Sequence, residues 1–283
     1  MAVKYLVGTS SVAWEATNFY PTGIPASGDE LHVTSSARLS LIGSLDRTGD
    51  NPTIGLNLAL LHIHSGASVS IGAPGNPLKC TCDKIIHEGD GTLFFESRRG
   101  ATSTNLTDLI IVNSPNLIVA AEIGGDIPIT RHDLIWGVVE HRAGTIDKAF
   151  MLPTRAQRSV APTLNQSQGT SGSIGELFIG DGFADLQSAG IVHLAMGSLR
   201  TTQRTGLLIA TLYQTGGRTE WDCGGAPTSP TGDPLIYLLG GTFEIVKNTV
   251  NQSVIATMYK SASASFPNPG EASFTGSLIE LGL

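Results

Sequence analysis

Three aspartates recur at one interval in the first half of the chain, and this spacing can build a cation site. Asp83, Asp108 and Asp133 are evenly spaced, and each stands just before an apolar pair. If the interval is one structural repeat, the three carboxylates form a column that can bind a cation. Alternatively, each aspartate ends a turn and accepts backbone N–H bonds. Like charges stacked about 4.8 Å apart repel each other, which favours the turn interpretation unless a cation is present.

Two histidines, His62 and His64, alternate along a predicted strand. Alternate residues of a strand point to one face, so the pair has acceptable geometry for two metal ligands. The sequence shows no third ligand. We therefore interpret the pair as polar side chains on the outer face of the fold, and we predict no metal site.

Two Gly-Asp-Gly segments resemble fragments of calcium-binding loops. They are Gly89-Asp90-Gly91 and Gly180-Asp181-Gly182. Each lacks the further carboxylates that a calcium loop needs at set offsets. We interpret both as turns.

A set of charged residues could supply a saccharide-cleaving groove, since such enzymes use paired carboxylates or a carboxylate with arginine. The candidates are Asp90, Glu96, Arg98, Arg99 and Glu122, with Phe94, Phe95 and Trp136 as the few aromatic residues of the central region. Their spacing does not force them onto one patch, and no lyase motif, nucleophile elbow or phosphate-binding glycine loop is present. We therefore expect a protein that is not an enzyme, with no catalytic residues and no cofactor.

The chain has three cysteines, Cys80, Cys82 and Cys223. The first two point to one side of a strand, where a disulfide has poor geometry, and zinc needs wider spacing and two more ligands. We predict that the three cysteines are small, partly buried core residues.

The elements that must position these residues follow from a repeat between Leu60 and Trp136. Apolar pairs return at the interval of the aspartates, with Leu60-Leu61 one period before Ile85-Ile86, and turn formers such as Asn113-Ser114-Pro115-Asn116 separate them. Short strands at this period, without a helical pattern, predict coils that bury their inward side chains by stacking. We expect an all-β fold, a right-handed parallel β-helix (solenoid) with an N-terminal cap, although the repeat alone does not fix the handedness.

The predicted organisation has three parts. Residues 1–30, rich in aromatic residues and proline, form the N-terminal cap that covers the open strand edges. Residues 31–260 form the β-helix, with early strands at Leu39 and Leu41, longer loops at Gly216-Gly217 and 224–234, and a polar loop at about 153–173 that can order against a partner. Residues 261–283 form a C-terminal cap or a tail that reaches a neighbouring subunit.

Composition excludes several classes of function. Only 14% of the residues are charged, the net charge is −7, and there are 34 glycines. No basic stripe is present to contact phosphates, so we expect no nucleic-acid partner. No stretch approaches the roughly 20 apolar residues of a membrane span, and the N-terminal segment lacks the core of a secretory signal. We therefore expect no membrane partner and assembly in a reducing cytoplasm.

The opening of the chain resembles a pattern in bacteriophage virion proteins, in which a tryptophan, an asparagine and a P-x-x-x-D segment lead into β-helical coils. In this chain Phe19 stands where a tryptophan often follows the asparagine of that pattern. A second similarity is to the "GGT" coil starts of the same proteins. The matching residues are Lys4-Tyr5-Leu6-Val7-Gly8, Trp14, Asn18, Pro25, Gly28-Asp29-Glu30-Leu31-His32-Val33 and Gly240-Gly241-Thr242-Phe243-Glu244-Ile245. The resemblance implies a structural part of a phage particle, either a capsid decoration (cement) protein or a tail-associated protein, typically homo-oligomeric and often trimeric, without catalytic residues.

The leading hypothesis is a homotrimeric capsid decoration protein that contacts the major capsid protein and resides in the virion. In this hypothesis the cap, the polar segment and the tail make the contacts. An alternative is a tail fibre or tailspike module that binds or cleaves host surface polysaccharide. A third, a bacterial adhesin-like passenger, is disfavoured by the missing secretory signal.

Overall fold

A computed structural model describes residues 1–7, 14–34, 55–152, 161–166, 172–202, 209–222, 234–246 and 253–282. They fall into two compact units. The first comprises Met1–Lys148 with Thr170–Gly172, and the second comprises Ala149–Gly169 with Ser173–Leu283. None of the described helices is long and apolar enough to cross a membrane.

The first unit is built from short strands that alternate between two sheets. The strands are β1 (Val3–Leu6), β2 (Phe19–Tyr20), β3 (Glu30–Val33), β4 (Asn57–Leu58), β5 (Leu60–Ile63), β6 (Leu78–Cys82), β7 (Lys84–His87), β8 (Leu93–Ser97), β9 (Thr107–Asn113), β10 (Ala121–Gly125), β11 (Ile129–Trp136) and β12 (Val138–His141). One sheet has the order β2-β1-β3-β5-β7-β9-β11 and the other has β4-β6-β8-β10-β12. Except for the antiparallel β1–β2 pair, the neighbouring strands in this unit are parallel.

Inward side chains stack in columns because most of these strands alternate buried and accessible residues. Leu31, Leu61, Ile85 and Ile110 are consecutive partners in register, and all four are fully buried. Burial of one such side chain stabilises the fold by about 1.5–3 kcal/mol, and that burial requires the next coil. The predicted parallel β-helix is therefore confirmed.

The repeat is less regular than the spacing of the aspartates predicts. Lys84 pairs with Leu109 at the predicted interval, but Leu109 pairs with Arg131, which follows it at a shorter interval. Leu61, rather than Leu60, pairs with Ile85. A shift of one residue moves a side chain to the opposite face of a strand, so the register decides which residues meet.

The N-terminal cap closes one end of the first sheet. Its β1 extends the sheet in parallel beside β3, and β2 covers β1 in antiparallel pairing after a 3-10 helix, Ala16–Asn18. Trp14 is buried and its ring meets the Phe19 ring edge-on at 5.2 Å. The carboxylate of Asp29 accepts hydrogen bonds from the backbone N–H groups of Ala2 and Ala26, at 2.6 and 3.0 Å. Trp14 and Asp29, two of the residues that carry the phage resemblance, thus have structural roles in the cap.

The second unit has the same alternating organisation. Strand β13 (Thr145–Met151) contains the boundary between the units, and the following strands are β14 (Thr163–Gln166), β15 (Ser173–Ile179), β16 (Phe183–Leu186), β17 (Ala189–Leu194), β18 (Ser198–Thr202), β19 (Ile209–Gln214), β20 (Arg218–Asp222), β21 (Leu235–Leu238), β22 (Thr242–Val246), β23 (Ser253–Ile255), β24 (Thr257–Ser261), β25 (Ala272–Phe274) and β26 (Leu278–Leu281). The parallel orders are β15-β17-β19-β21-β24-β26 and β14-β16-β18-β20-β22, and β23 pairs with β25. A 3-10 helix covers Pro269–Glu271. One fully buried column of this unit consists of Leu177, Val192, Leu212, Ile236 and Met258.

Glycines form a second column at one corner of this unit. Gly182, Gly197, Gly217 and Gly241 all have positive φ, and a Cβ on each of the last three would lie 2.3–2.5 Å from the carbonyl oxygen of the glycine before it. Only glycine permits this approach of stacked backbones. The Gly216-Gly217 pair, predicted to begin a longer loop, is therefore a tight corner between β19 and β20.

Three further expectations differ from the structure or lie outside it. The segment predicted as a polar loop, 153–173, contains strand β14, whose Leu164 is buried although its neighbours are polar. Residues 261–283, predicted as a C-terminal cap or a tail, add β26 to β24 in parallel, so stacking continues to Leu281. The predictions for Leu39, Leu41, Cys223 and residues 224–233 lie outside the described residues.

Candidate functional site

Three histidines meet on the accessible face of the first unit. His32 on β3 is paired in register with His62 on β5, and His64 follows directly after β5. One ligand nitrogen from each imidazole can be chosen so that all three lie within 4.8 Å of one another. Nδ1 of His32 lies 2.8 Å from Nε2 of His64, and the rings of His62 and His64 stack with centroids 3.7 Å apart.

Carboxylates contact the outer nitrogens of two of these rings. Nε2 of His32 lies 3.3 Å from Oε2 of Glu30, and Nε2 of His62 lies 3.1 Å from Oε2 of Glu88. The His32 and His62 side chains keep 15% and 18% of their surface exposed, so solvent reaches the cluster. On the far side of His32, the Tyr5 ring lies at a centroid distance of 5.5 Å.

The surroundings of His64 in this cluster favour its neutral form. Partial burial, followed by the nearby His62 and His32, lowers the pKa of His64, while Glu88 opposes this shift. A neutral imidazole has one nitrogen lone pair available, which is the form that binds a metal.

His32 is the member of this cluster that sequence reasoning missed. His62 and His64 share one segment and are readable from their alternation, but His32 lies on the previous coil, opposite its register partner His62. The interval between His32 and His62 is longer than the repeat read from the aspartates, so that repeat could not align the two positions. Their proximity becomes visible only through the pairing of β3 with β5.

The proposed column of aspartates is wrong at its third member. Asp133 pairs with Ile111, because β11 follows β9 at a shorter interval than the aspartates do. Its carboxylate accepts two hydrogen bonds from the Arg131 guanidinium, at 2.8 and 3.0 Å. Asp83 accepts a hydrogen bond from the side-chain amide of Asn57 at 3.0 Å, and Asp108 is exposed. Asp108 and Asp133 lie within β9 and β11, so the favoured interpretation, that each aspartate ends a turn, is wrong for these two.

Two of the predicted groove residues line a cleft of about 220 Å³ in the first unit. Glu96 on β8 and Glu122 on β10 contribute to its wall, together with Phe94 and Arg142. Each glutamate has an arginine partner: Arg98 lies 3.0 Å from Glu96, and Arg142 donates a hydrogen bond to Glu122. Arg98 also lies 3.3 Å from Asp126. Asp90 and Arg99, also predicted for the groove, are exposed and do not line this cleft.

The remaining chemical candidates have structural roles. Both Gly-Asp-Gly segments lie between strands as predicted, and Oδ1 of Asp181 accepts a hydrogen bond from the backbone N–H of Gly182. Cys80 and Cys82 are buried free cysteines with sulfur atoms 3.9 Å apart, as expected for core residues. Burial and the adjacent Cys80 raise the pKa of Cys82, which disfavours the reactive thiolate.

Three other histidines occupy the inward columns of the first unit. His132 is the register partner of Ile110, His87 pairs with Val112, and His141 pairs with Ile123. Burial lowers the pKa of His87 and of His141 to about 4 and the pKa of His132 to about 3; His141 also contributes to the shift of His132. Among the described residues, neither ring nitrogen of His132 has a hydrogen-bond partner. These side chains are neutral core residues.

The cap presents an apolar face to solvent. Val3, Tyr5 and Val7 alternate along and beyond β1 and are each about 40% exposed, and Tyr20, the cross-strand partner of Tyr5, is 64% exposed. Buried Leu6 lies on the opposite face of the same strand. An exposed group of large apolar side chains on one face is typical of a surface that contacts another protein.

A ladder of stacked rings runs along the accessible face of the second unit. It consists of Phe150, Phe178, His193, Tyr213, Tyr237 and Tyr259, one from each successive strand of the sheet. Neighbouring centroids are 4.4–5.2 Å apart and the rings are within 10° of parallel. Each of the four inner rings, from Phe178 to Tyr237, contacts a neighbouring ring on both of its faces. The ladder stiffens the face and leaves no ring face within it free to stack on a sugar.

Comparison with known proteins adds no relative from which a function can be transferred. No protein-family model matches the chain, and searches of curated proteins and of solved structures give no significant match. The fold and the sites above are therefore the basis for function.

Proposed function

We propose that the chain is a non-enzymatic structural protein of a phage particle, specifically a capsid decoration protein that stabilises the shell as a homotrimer. The observation that carries the proposal is the exposed apolar face of the cap, formed by Val3, Tyr5, Val7 and Tyr20. Covering such a face with a partner is favourable by about 25 cal/mol per Å² of apolar surface. The sequence resemblance of the same N-terminal segment to phage virion proteins supports a shell partner.

Rigidity supports a structural role as well. Stacked coils and the ring ladder hold long surfaces in one conformation, so little conformational entropy is lost when a partner binds. The low charge content also reduces the desolvation cost of covering such surfaces. A cement protein needs both properties, because it must bind many identical shell positions with one geometry.

The test is co-sedimentation of the purified chain with empty shells assembled from the major capsid protein of the same phage. We expect saturable binding at a fixed ratio to the shell subunit, and light scattering of the free protein should give the mass of three chains. Val3→Asp or Tyr20→Asp should abolish shell binding, because each places a charge in the apolar face. Ile118→Asp is the matched control, because Ile118 is 86% exposed between β9 and β10, away from that face. Failure of the wild-type chain to bind shells would refute the proposal.

The alternative is a tail fibre or tailspike module that binds or cleaves host polysaccharide. The cleft that contains Glu96, Glu122, Arg142 and Phe94 favours it, because carboxylates with a guanidinium and a ring can contact sugar hydroxyl groups. Retention on a column of host surface polysaccharide, lost in Glu122→Gln, would support this function. The same column also separates the two proposals, since a cement protein should pass through unretained.

A further inference from the structure

We propose that His32, His62 and His64 form a binding site for one divalent transition-metal ion, of the kind that zinc represents. Three imidazole nitrogens converge within 4.8 Å from two neighbouring coils, and all three side chains are partly accessible. Imidazole is a preferred ligand of zinc, copper, iron and nickel. Three histidines with a fourth position open to water make a recurrent zinc site.

Zinc binding requires the three rings to shift and to turn. Tetrahedral zinc with Zn–N bonds of about 2.0–2.1 Å holds its ligand nitrogens about 3.3 Å apart. Nδ1 of His32 and Nε2 of His64, now 2.8 Å apart, would separate by about half an ångström, and His62 would move inward. The rings of His62 and His64, now stacked face to face with centroids 3.7 Å apart, would turn so that a nitrogen of each points at the ion.

The two carboxylates determine which nitrogen of each ring would face the metal. Glu30 and Glu88 accept hydrogen bonds from Nε2–H of His32 and His62, which leaves the Nδ1 lone pairs of both rings available. His64 then donates Nε2–H to His32 in the absence of metal. On metal binding this hydrogen moves to Nδ1 of His64, and the Nε2 lone pair becomes the third ligand without a net change in charge on the rings.

The ion would act as a cross-link between coils. His32 and His64 lie 32 residues apart in the sequence, and a metal bond between them holds β3 against β5 next to the cap. Because the unfolded chain does not hold the three rings together, binding free energy adds to folding stability. The inference does not depend on the proposed role in a capsid, since it rests on different residues.

The test is isothermal titration of the full chain, freed of metal with a chelator, with zinc chloride at pH 7.5. We expect one ion per chain and a rise in the thermal unfolding midpoint of the first unit. His32→Gln and His64→Gln should remove saturable binding, and Glu88→Gln should weaken it about tenfold because it removes a partner that orients a ligand. Cobalt substitution gives a second readout, since four-coordinate nitrogen ligation produces intense visible bands that the two histidine variants should lose.

His193→Phe is the control for non-specific binding. His193 is also partly exposed and contacts a carboxylate, Glu176, at 3.1 Å, but its neighbours in the ring ladder are phenylalanine and tyrosine. The variant should bind zinc as the wild type does. The proposal is overturned if the wild-type chain shows no saturable binding, or if the folded His64→Gln variant, checked by circular dichroism, binds zinc with unchanged affinity and stoichiometry.

Discussion

Mild acid should destabilise the first unit, because His87, His132 and His141 are buried in their neutral forms. Their folded-state pKa values of about 4, 3 and 4 lie below the ordinary value of 6.5. The unfolded chain therefore binds protons at pH values at which the folded chain does not. It follows that the free energy of unfolding is highest above pH 6.5 and falls as the pH drops towards the folded-state pKa values.

The size of the expected loss in the free energy of unfolding follows from one additional proton that the unfolded chain binds at each histidine. Each histidine lowers the free energy of unfolding by about 1.4 kcal/mol per pH unit below pH 6.5, or about 2 kcal/mol at pH 5. The three together remove about 6 kcal/mol, against a typical total of about 5–15 kcal/mol. Ordinary carboxylates titrate near pH 4, so the interval between pH 6.5 and 5 reports mainly on histidine.

The assay is guanidinium unfolding followed by tryptophan fluorescence at pH 7.5, 6 and 5, with a chelator present. A Trp221→Phe background removes the buried tryptophan of the second unit, so the signal comes from Trp14 and Trp136 of the first. His132→Leu should reduce the loss between pH 7.5 and 5 by about 2 kcal/mol, because it removes one of the three protonation sites. His193→Phe, which keeps a ring in the ladder, should leave the loss unchanged. The reasoning is refuted if the wild type loses less than about 1 kcal/mol over this range, or if His132→Leu keeps the full pH dependence.

Two further substitutions test the stacking within the second unit. Tyr213→Ala removes two ring contacts, each worth about 0.5–1.5 kcal/mol, and buried ring surface as well, so the free energy of unfolding should fall by about 2–4 kcal/mol. Tyr213→Phe should lower the free energy of unfolding by less than about 1 kcal/mol. Equal losses for Tyr213→Ala and Tyr213→Phe in denaturant melts would show that ring stacking is unimportant. Gly217→Ala places a Cβ 2.5 Å from a backbone oxygen at φ +67°, so it should cost at least about 2 kcal/mol. Gly270→Ala, where nothing lies within 4 Å of the added Cβ, is the control, and a similar midpoint of thermal unfolding for the two alanine variants would contradict the role of the glycine corner.

Much of the architecture is predictable because it depends on local alternation. Leu60-Leu61 and Ile85-Ile86 are short apolar pairs separated by turn formers, and only stacking buries such segments. The cap was predictable as well, because its segment contains more aromatic residues than one coil requires for its core. The turns at Asp90 and Asp181 were predictable too, since glycine on both sides of an aspartate favours a turn in any fold.

Sequence reasoning failed wherever the answer depended on register. In the second unit Ile174 pairs with Ala189, whereas Leu212 pairs with Ile236, which lies much further along the chain from its partner. The segments that connect successive strands of one sheet differ in length, and these lengths carry no signal in the alternation of the strands. A constant repeat therefore places the residues of successive coils incorrectly.

The sequence by itself determined the kind of fold, because inward and outward positions are encoded residue by residue. The tertiary structure alone decided which side chains become neighbours across coils. It removed Asp133 from the aspartate column and brought His32 to His64. Both outcomes have one physical reason: pairing between parallel strands is non-local, so its register is set by the packing of whole coils and not by the spacing of any two residues in the chain.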